Sequence, residues 1–225
     1  MADRRPGSRP RPRSAAGPAA AGLALSLALT ACGGSSTGPA QIVGADPRED
    51  DGRWGSVLTQ PYTVPSTALV ATDGSSYSLA EDTEAPLTLV FFGYTNCPDI
   101  CQVVMASLAS AMTRLAPEQR DQVEVVFVTT DPARDDAAVV QDYVERFDPS
   151  FTGLTGDLPT IVEVGNALGV AVEKGERLPS GGYEVTHGTQ VVGITADDRA
   201  PIVWTEGTSA AQYAADVAAL LEEDA

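Results

Sequence analysis

The chain has 225 residues, of which 43% are hydrophobic and 20% are charged, which is enough apolar material for a folded domain with a core. Its 14 basic and 31 acidic residues give a formal net charge of −17 at pH 7. Five of the basic residues and one acidic residue precede residue 32, so the remainder carries nine basic and 30 acidic residues, a net charge of −21. Such a surface repels phosphate backbones, which argues against a nucleic-acid partner and suits a cationic partner or a metal ion.

The N-terminal segment has the layout of a secretion signal. Arginines are concentrated in residues 4–13, small and apolar residues fill 15–29, and an LTAC sequence ends at Cys32. A basic start, a short apolar middle and small residues before a cut are typical of a signal peptide, and the apolar run is shorter than the ~20 residues of a membrane span. The LTAC sequence resembles a bacterial lipobox, which implies cleavage before Cys32 and lipid on its thiol and new amino terminus. A plain signal peptide and an uncleaved anchor are the alternatives.

These features divide the chain into three parts. Residues 1–31 are predicted to be a lipoprotein signal peptide. Residues 32–52 are rich in Gly, Ser, Pro and acidic side chains, a composition that predicts a flexible tether. The folded domain is predicted to span residues 53–225. A lipid on Cys32 would hold this domain at the extracytoplasmic face of a bacterial cell membrane.

The pattern of apolar residues in the domain alternates between strands and helices. A turn at Asp73-Gly74 indicates a hairpin near the start of the domain. The remaining elements, in chain order, are expected to be a buried strand at 87–92, a helix at 98–115, a buried strand at 123–129, helices at 135–147 and 158–168, strands at 189–194 and 202–204, and a helix at 210–221. This order predicts an α/β fold with a central mixed sheet, helices on both faces and an N-terminal hairpin extension.

Two cysteines lie where the first buried strand is predicted to end and its helix to begin. Pro98 suits the first helical position, which would place Cys97 at or near the N-cap and Cys101 in the first turn on the same side. A helix N-terminus favours thiolates, which attack disulfides and bind metal ions. With loops around it, the pair is expected to be accessible. It is open to three interpretations: a metal site, a redox pair, or a structural disulfide, which would close too small a loop to stabilise the domain much.

The chain has a single histidine, His187, just before a predicted late strand. In thioredoxin-like domains the loop before that strand faces the cysteine-bearing end of the helix. Together with Cys97 and Cys101, this histidine would complete a set of two thiolates and one imidazole. Such ligands suit Cu(I), and they can also hold Cu(II) or Zn(II).

Three segments together resemble the SCO/SenC family of copper-binding, thioredoxin-like proteins that assist cytochrome c oxidase assembly. They are FFGYT at 91–95 leading into CPDIC at 97–101, TDPARD at 130–135, and His187. The resemblance covers roughly residues 55–222. It implies a thioredoxin-like fold and a copper site, for Cu(I), Cu(II) or both, made by Cys97, Cys101 and His187.

The resemblance also carries expectations about function. It implies a membrane-tethered copper chaperone, rather than an enzyme, that delivers copper to the binuclear copper site of cytochrome c oxidase subunit II or another acceptor, or reduces that subunit's cysteines beforehand. The alternative is a thiol–disulfide oxidoreductase that uses Cys97 and Cys101. Nothing in the sequence requires more than a monomer.

Three positions depart from the family pattern, and Asp131 matches it. Asn96, Gln102 and Thr186 stand where many members have histidine, proline and an acidic residue, respectively. The change at Thr186 could remove a group that orients a ligand, but none of the three removes a proposed ligand. Asp131 matches an acidic position of the family that is expected near the site; its alternative role is in a loop turn.

Overall fold

The computed structural model describes residues 52–177 and 183–223. The strands in these ranges are β1 (Ser56–Thr63), β2 (Ala68–Ala71), β3 (Ser76–Ser78), β4 (Leu87–Gly93), β5 (Val123–Thr129), β6 (Thr152–Thr155), β7 (Val172–Arg177), β8 (Tyr183–His187), β9 (Val191–Thr195) and β10 (Arg199–Trp204). The helices are α1 (Ile100–Met112), α2 (Pro117–Arg120), α3 (Ala137–Glu145), α4 (Leu158–Ala167) and α5 (Ala210–Glu223).

Eight of these strands form one mixed sheet in the order β1-β10-β9-β4-β5-β6-β2-β3. The pairs β4–β5 and β5–β6 are parallel, and the β9, β10 and β1 side is antiparallel. The β2–β3 hairpin adds to β6 at the far edge. Strands β7 and β8 pair only with each other, as a separate two-stranded ribbon.

Strand β4 lies at the centre of the sheet, and all seven of its residues are buried. Because side chains alternate along a strand, Leu89 and Phe91 point to one face and Val90 and Phe92 to the other. The first face packs against α1, α3 and α5, and the second packs against α4 and residues around the N-terminal hairpin. This accounts for the continuous apolar run at 87–92, since only a strand covered on both sides needs apolar residues at every position.

The predicted fold class is confirmed: a mixed sheet has helices on both faces and carries an N-terminal hairpin. The elements that the pattern missed are β1, α2, β6 and the β7–β8 ribbon. The elements α2 and β6 have only four residues each, the ribbon is strongly polar, and β1 mixes buried and exposed positions. Helix α1 begins at Ile100, two residues later than predicted. The strands at the end of the chain are β9 and β10, and β10 begins three residues earlier than predicted.

The predicted signal peptide, lipid-bearing Cys32 and tether up to residue 51 lie outside the described residues. Within the described ranges, no helix combines the length and the apolar character that a membrane crossing demands.

Candidate metal centre

Cys97 lies in the loop between β4 and α1, and Cys101 lies in the first turn of α1, at the edge where the parallel strands β4 and β5 end. This carboxyl edge is the usual place for ligands in open α/β sheets. Cys97, predicted at or near the N-cap of the helix, lies two residues before Asp99, which occupies that position. The backbone N–H of Cys97 instead donates to the carbonyl of Tyr94, at 3.2 Å, so a turn holds Cys97 in the loop. Cys101 lies in the first helical turn, as predicted.

The two sulfurs share a local hydrogen-bond network. The backbone N–H of Cys101 donates to Cys97 Sγ at 3.5 Å, and the two side chains also hydrogen-bond each other. Burial acts most strongly on the pKa of Cys97 and raises it, but the Cys101 thiol and three backbone N–H groups outweigh burial, so this pKa lies below its usual value. Burial, and next the bond to Cys97, raise the pKa of Cys101. The pair therefore loses its first proton from Cys97 rather than from Cys101.

The expectation of an accessible pair is wrong for the free protein. Cys97 is 5% exposed and Cys101 is fully buried, because Cys101 packs under the loop among the core residues of α1. Neither cysteine is in a disulfide.

His187 is the last residue of β8, and it reaches back over the cysteines. Its ring nitrogens lie 2.8 Å from the Gly188 carbonyl oxygen (Nδ1) and 3.7 Å from Cys101 Sγ (Nε2). A carbonyl can only accept, so Nδ1 carries the hydrogen and Nε2 presents its lone pair to the sulfur. Burial lowers the pKa of His187, against the opposing effect of the bond to Gly188, so the imidazole is neutral at neutral pH. A neutral imidazole with its distal nitrogen fixed by a carbonyl has the form of a metal ligand.

The separation of Cys101 and His187 fits a shared metal ion. At zinc-like bond lengths of ~2.3 Å to sulfur and ~2.0 Å to nitrogen, two ligands of a planar three-coordinate ion would be roughly 3.7 Å apart. Across the described ranges, however, no three His, Cys, Asp or Glu side chains already form a closed metal-binding cluster. Cys97 must therefore adjust to join the other two, and binding of one ion by all three side chains stays a prediction.

A buried carboxylate that the sequence analysis did not single out holds the loop before the cysteines. Asp135 is fully buried and accepts hydrogen bonds from the backbone N–H of Thr95 at 2.9 Å, the Thr95 hydroxyl at 2.6 Å and the Thr129 hydroxyl at 2.7 Å. It thereby ties the loop after β4 to the end of β5. The TDPARD segment was the available signal, since its second aspartate follows the adjacent strand.

A second group of side chains connects Asp131 with the site. Asp131 is fully buried and forms an ion pair with Arg134, whose guanidinium lies 6.0 Å from the centre of the Tyr94 ring. The Tyr94 ring meets the His187 ring edge-on, with centroids 5.7 Å apart. Burial, followed by negative charge on the two cysteines and a hydrogen bond to Cys97, raises the pKa of Tyr94. Asp131, which was expected near the site, is thus connected to His187 through Arg134 and Tyr94.

Gly93, at the end of β4, leaves room for the buried sulfur. A Cβ atom at this position would lie 2.9 Å from Phe127 Cε2 and 3.2 Å from Cys101 Sγ. Both distances are shorter than ordinary van der Waals contact, so any larger residue would displace the sulfur or the Phe127 ring.

The positions that depart from the family pattern do not crowd the sulfurs. Asn96 and Gln102 are both exposed, and Asn96 Nδ2 makes a long hydrogen bond of 3.4 Å to the Thr95 hydroxyl. The backbone of Thr186 lies in β8 and pairs with Glu173. The side chain of Thr186 lies outside what the structure describes.

The mixed sheet with its cysteine-bearing loop and facing histidine defines a thioredoxin-like protein with a candidate metal site. The family model of SCO1/SenC matches residues 59–222, and the chain belongs to that family. A candidate copper-binding protein of Stutzerimonas stutzeri is 30% identical over 131 residues, which are 58% of this chain and 63% of that protein. Other curated relatives are matched over smaller shares of their own length, such as 39% of a mitochondrial SCO2 homologue of Danio rerio.

Solved structures agree with the fold. Metal-free Sco1 of Thermus thermophilus superimposes with a TM-score of 0.68 at 30% identity, covering 75% of this chain and 96% of that one. Copper-bound ScoI of Bradyrhizobium japonicum gives a TM-score of 0.61 at 26% identity, covering 71% and 97%. The recognised family and the thioredoxin-like fold are thus confirmed, and copper is the metal found in a solved relative.

Proposed function

We propose that this chain is a copper-binding metallochaperone in which Cys97, Cys101 and His187 hold one copper ion as cargo. The observation that carries the proposal is the tautomer of His187. Its Nδ1 hydrogen is committed to the Gly188 carbonyl, so its Nε2 lone pair faces Cys101 Sγ at 3.7 Å. Two soft sulfurs and a neutral imidazole form a donor set that suits Cu(I) and also accommodates Cu(II). Bound copper would be a Lewis acid held ready for transfer, and the chain's own residues would orient the ligands around it.

The family resemblance supplies the acceptor. Delivery would go to the binuclear copper site of cytochrome c oxidase subunit II, or to another copper acceptor. A lipid on Cys32 would place the domain at the extracytoplasmic face of the bacterial membrane. Incorporation of radiolabelled palmitate that is lost in Cys32→Ser would support the anchor. Equal labelling of both proteins would rule out lipidation at Cys32.

Copper stoichiometry tests the ligand set. We expect the reduced protein to bind one copper per chain and His187→Ala to bind it more than ~100-fold more weakly, a larger loss than that of an outer-sphere partner. Thr189→Ala, two residues further along, is the matched control, because its hydroxyl bonds to Glu206 at 3.1 Å and not to the sulfurs. Equal copper binding by wild type and His187→Ala would exclude His187 as a ligand.

A thiol–disulfide oxidoreductase is the second candidate function, and the opposite pKa shifts of the two cysteines favour it. Cys97, with the lowered pKa, would attack a target disulfide and form a mixed disulfide. Cys101 would then lose its proton and attack Cys97, which releases the target as two thiols and leaves Cys97 and Cys101 oxidised. The two electrons gained by the target come from this cysteine pair. In a single-turnover assay, this function predicts normal rates in His187→Ala and none in Cys97→Ser.

A further inference from the structure

The candidate site is assembled from two parts of the chain that are far apart in sequence. The cysteines belong to the main sheet and α1, whereas His187 belongs to the β7–β8 ribbon, which has no strand pairing with that sheet. The Gly188 N–H donates to the Ala171 carbonyl at 2.9 Å, which closes the base of the ribbon, and Val172 packs into the core of the domain. Some contact must also hold the imidazole at the correct place over the sulfurs.

Tyr94 contacts both parts. Its ring meets the His187 ring edge-to-face, at 5.7 Å and 88°. After burial, negative charge on the two cysteines and a hydrogen bond to Cys97 raise the pKa of Tyr94, which indicates that its hydroxyl lies near the Cys97 sulfur. Phe91 also packs edge-on against His187, at 6.2 Å, but it is fully buried in the core and has no polar atom to offer a sulfur. Of these two aromatic residues, Tyr94 also has a polar atom that faces the proposed ligand Cys97.

The orientation of the Tyr94 ring is itself fixed from behind. The Arg134 guanidinium lies 6.0 Å from the ring centre, within the range of a cation–π contact. Asp131 holds that guanidinium through an ion pair, and Asp131 is fully buried. One oxygen of Asp131, Oδ1, is buried and has no hydrogen-bond partner among the described residues, so the carboxylate depends on Arg134 for its compensation. Asp131 therefore holds Arg134, and Arg134 packs against the Tyr94 ring.

We propose that Tyr94 is a positioning residue of the metal site: its ring orients His187 and its hydroxyl orients Cys97, so that both meet Cys101 around one ion. The proposal rests on the proposed copper site and deepens it. The ring and the hydroxyl have separable roles. The ring would act on the imidazole whether or not the sulfur is bonded, and the hydroxyl would act on Cys97 even in the metal-free protein.

A merely structural role would make Tyr94 an aromatic side chain that fills space under the loop. In that case a phenylalanine would serve equally well, and loss of the ring would lower stability without changing the properties of the sulfurs. Tyr94→Phe keeps the ring and removes the hydroxyl, and Tyr94→Leu removes both. Tyr77→Phe is the matched control, since its half-buried hydroxyl bonds to Glu124 at 2.9 Å, on a different part of the sheet.

The first measurement is copper binding by the full chain in competition with a chelator, together with the thiolate-to-Cu(II) charge-transfer absorption. We expect Cu(I) affinity to fall by ~10-fold in Tyr94→Phe and toward ~100-fold in Tyr94→Leu, the range for groups that orient metal ligands. The absorption band should shift in both, and Tyr77→Phe should match the wild type. Wild-type affinity and an unshifted band in both Tyr94 variants would overturn the proposal.

The second measurement needs no copper. The metal-free protein is equilibrated with oxidised and reduced glutathione, and the reduction potential of the Cys97–Cys101 pair is read from the fraction oxidised. A hydroxyl that donates to Cys97 stabilises the reduced form, so Tyr94→Phe should have a more negative potential than wild type and Tyr77→Phe should not. An unchanged potential in Tyr94→Phe would refute the role of the hydroxyl. If the wild type binds no copper, the proposed function fails, while this measurement still decides whether Tyr94 positions the sulfur.

Discussion

Replacing Asp135 tests whether its buried carboxylate holds the cysteine loop. Asp135→Ala leaves three donors without their acceptor: the N–H and hydroxyl of Thr95 and the hydroxyl of Thr129. Each unsatisfied buried donor costs about 1–3 kcal/mol, and the hydroxyls can partly turn to other acceptors, so the total loss should be about 3–5 kcal/mol. Asp135→Asn keeps one oxygen as an acceptor, and its amide N–H can donate to the Thr95 hydroxyl, which then accepts instead of donating. Its cost should be about 1–2 kcal/mol.

The assay is urea unfolding of the reduced, metal-free protein, followed by tryptophan fluorescence, with thermal unfolding beside it. At ~2–4 °C per kcal/mol for a domain of this size, Asp135→Ala should melt about 10 °C lower than the wild type. Asp142→Ala, an exposed aspartate on α3, controls for the loss of one charge and should change stability by no more than about 0.5 kcal/mol. If Asp135→Ala unfolds within ~1 kcal/mol of the wild type, the carboxylate does not hold the loop.

Three further predictions concern the site and its support. Gly93→Ala should weaken copper binding at least ~10-fold, because the added Cβ would meet the Cys101 sulfur. Chelator competition measures this, and an unchanged copper affinity would show that the sulfur can move freely. The pKa of Cys97 lies below the usual 9.0 and that of Cys101 lies above it. Iodoacetamide at pH 7.5 should therefore modify Cys97 first, and the rate of that modification should have its pH midpoint below 9.0, as read by peptide mass spectrometry. Equal modification of the two cysteines would contradict this order. Asp216→Ala removes a buried carboxylate that accepts from three donors, including the Trp204 indole. Urea unfolding should show a loss of about 3 kcal/mol in the free energy of unfolding, with copper stoichiometry retained. An unchanged free energy of unfolding would mean that water replaces the carboxylate.

The sequence pattern predicted the centre of the fold well and its edges poorly. Strands β4 and β5 are covered on both faces, so most of their positions are apolar and the pattern is clear. The β7–β8 ribbon contains charged residues such as Lys174 and Glu184 and pairs only with itself, so its pattern resembles that of a loop. Strand β1 has mixed burial and forms an edge of the sheet. Its pairing with β10 joins segments more than 130 residues apart, which local periodicity does not encode.

The proposed ligand residues could be singled out because their types are rare in this chain, but their environment could not be predicted. A single histidine and a close cysteine pair limit the choice of soft ligands. The tautomer of His187 depends on the Gly188 carbonyl, and the space beside Cys101 depends on Gly93. The role of Asp135 depends on Thr95, 40 residues earlier. These are tertiary contacts, formed only once the two strand ends lie side by side.

Burial sets an order among the proposed ligands. Cys101 is fully enclosed and has a raised pKa, so its thiolate is stabilised only when a metal ion replaces its proton. Cys97 has a lowered pKa, so it loses its proton more readily than Cys101 does. Under the proposed function, an incoming copper ion would therefore bind Cys97 first and then Cys101 and His187. By the reverse path, an acceptor thiolate would replace Cys97 first, since Cys101 is the more deeply enclosed of the two.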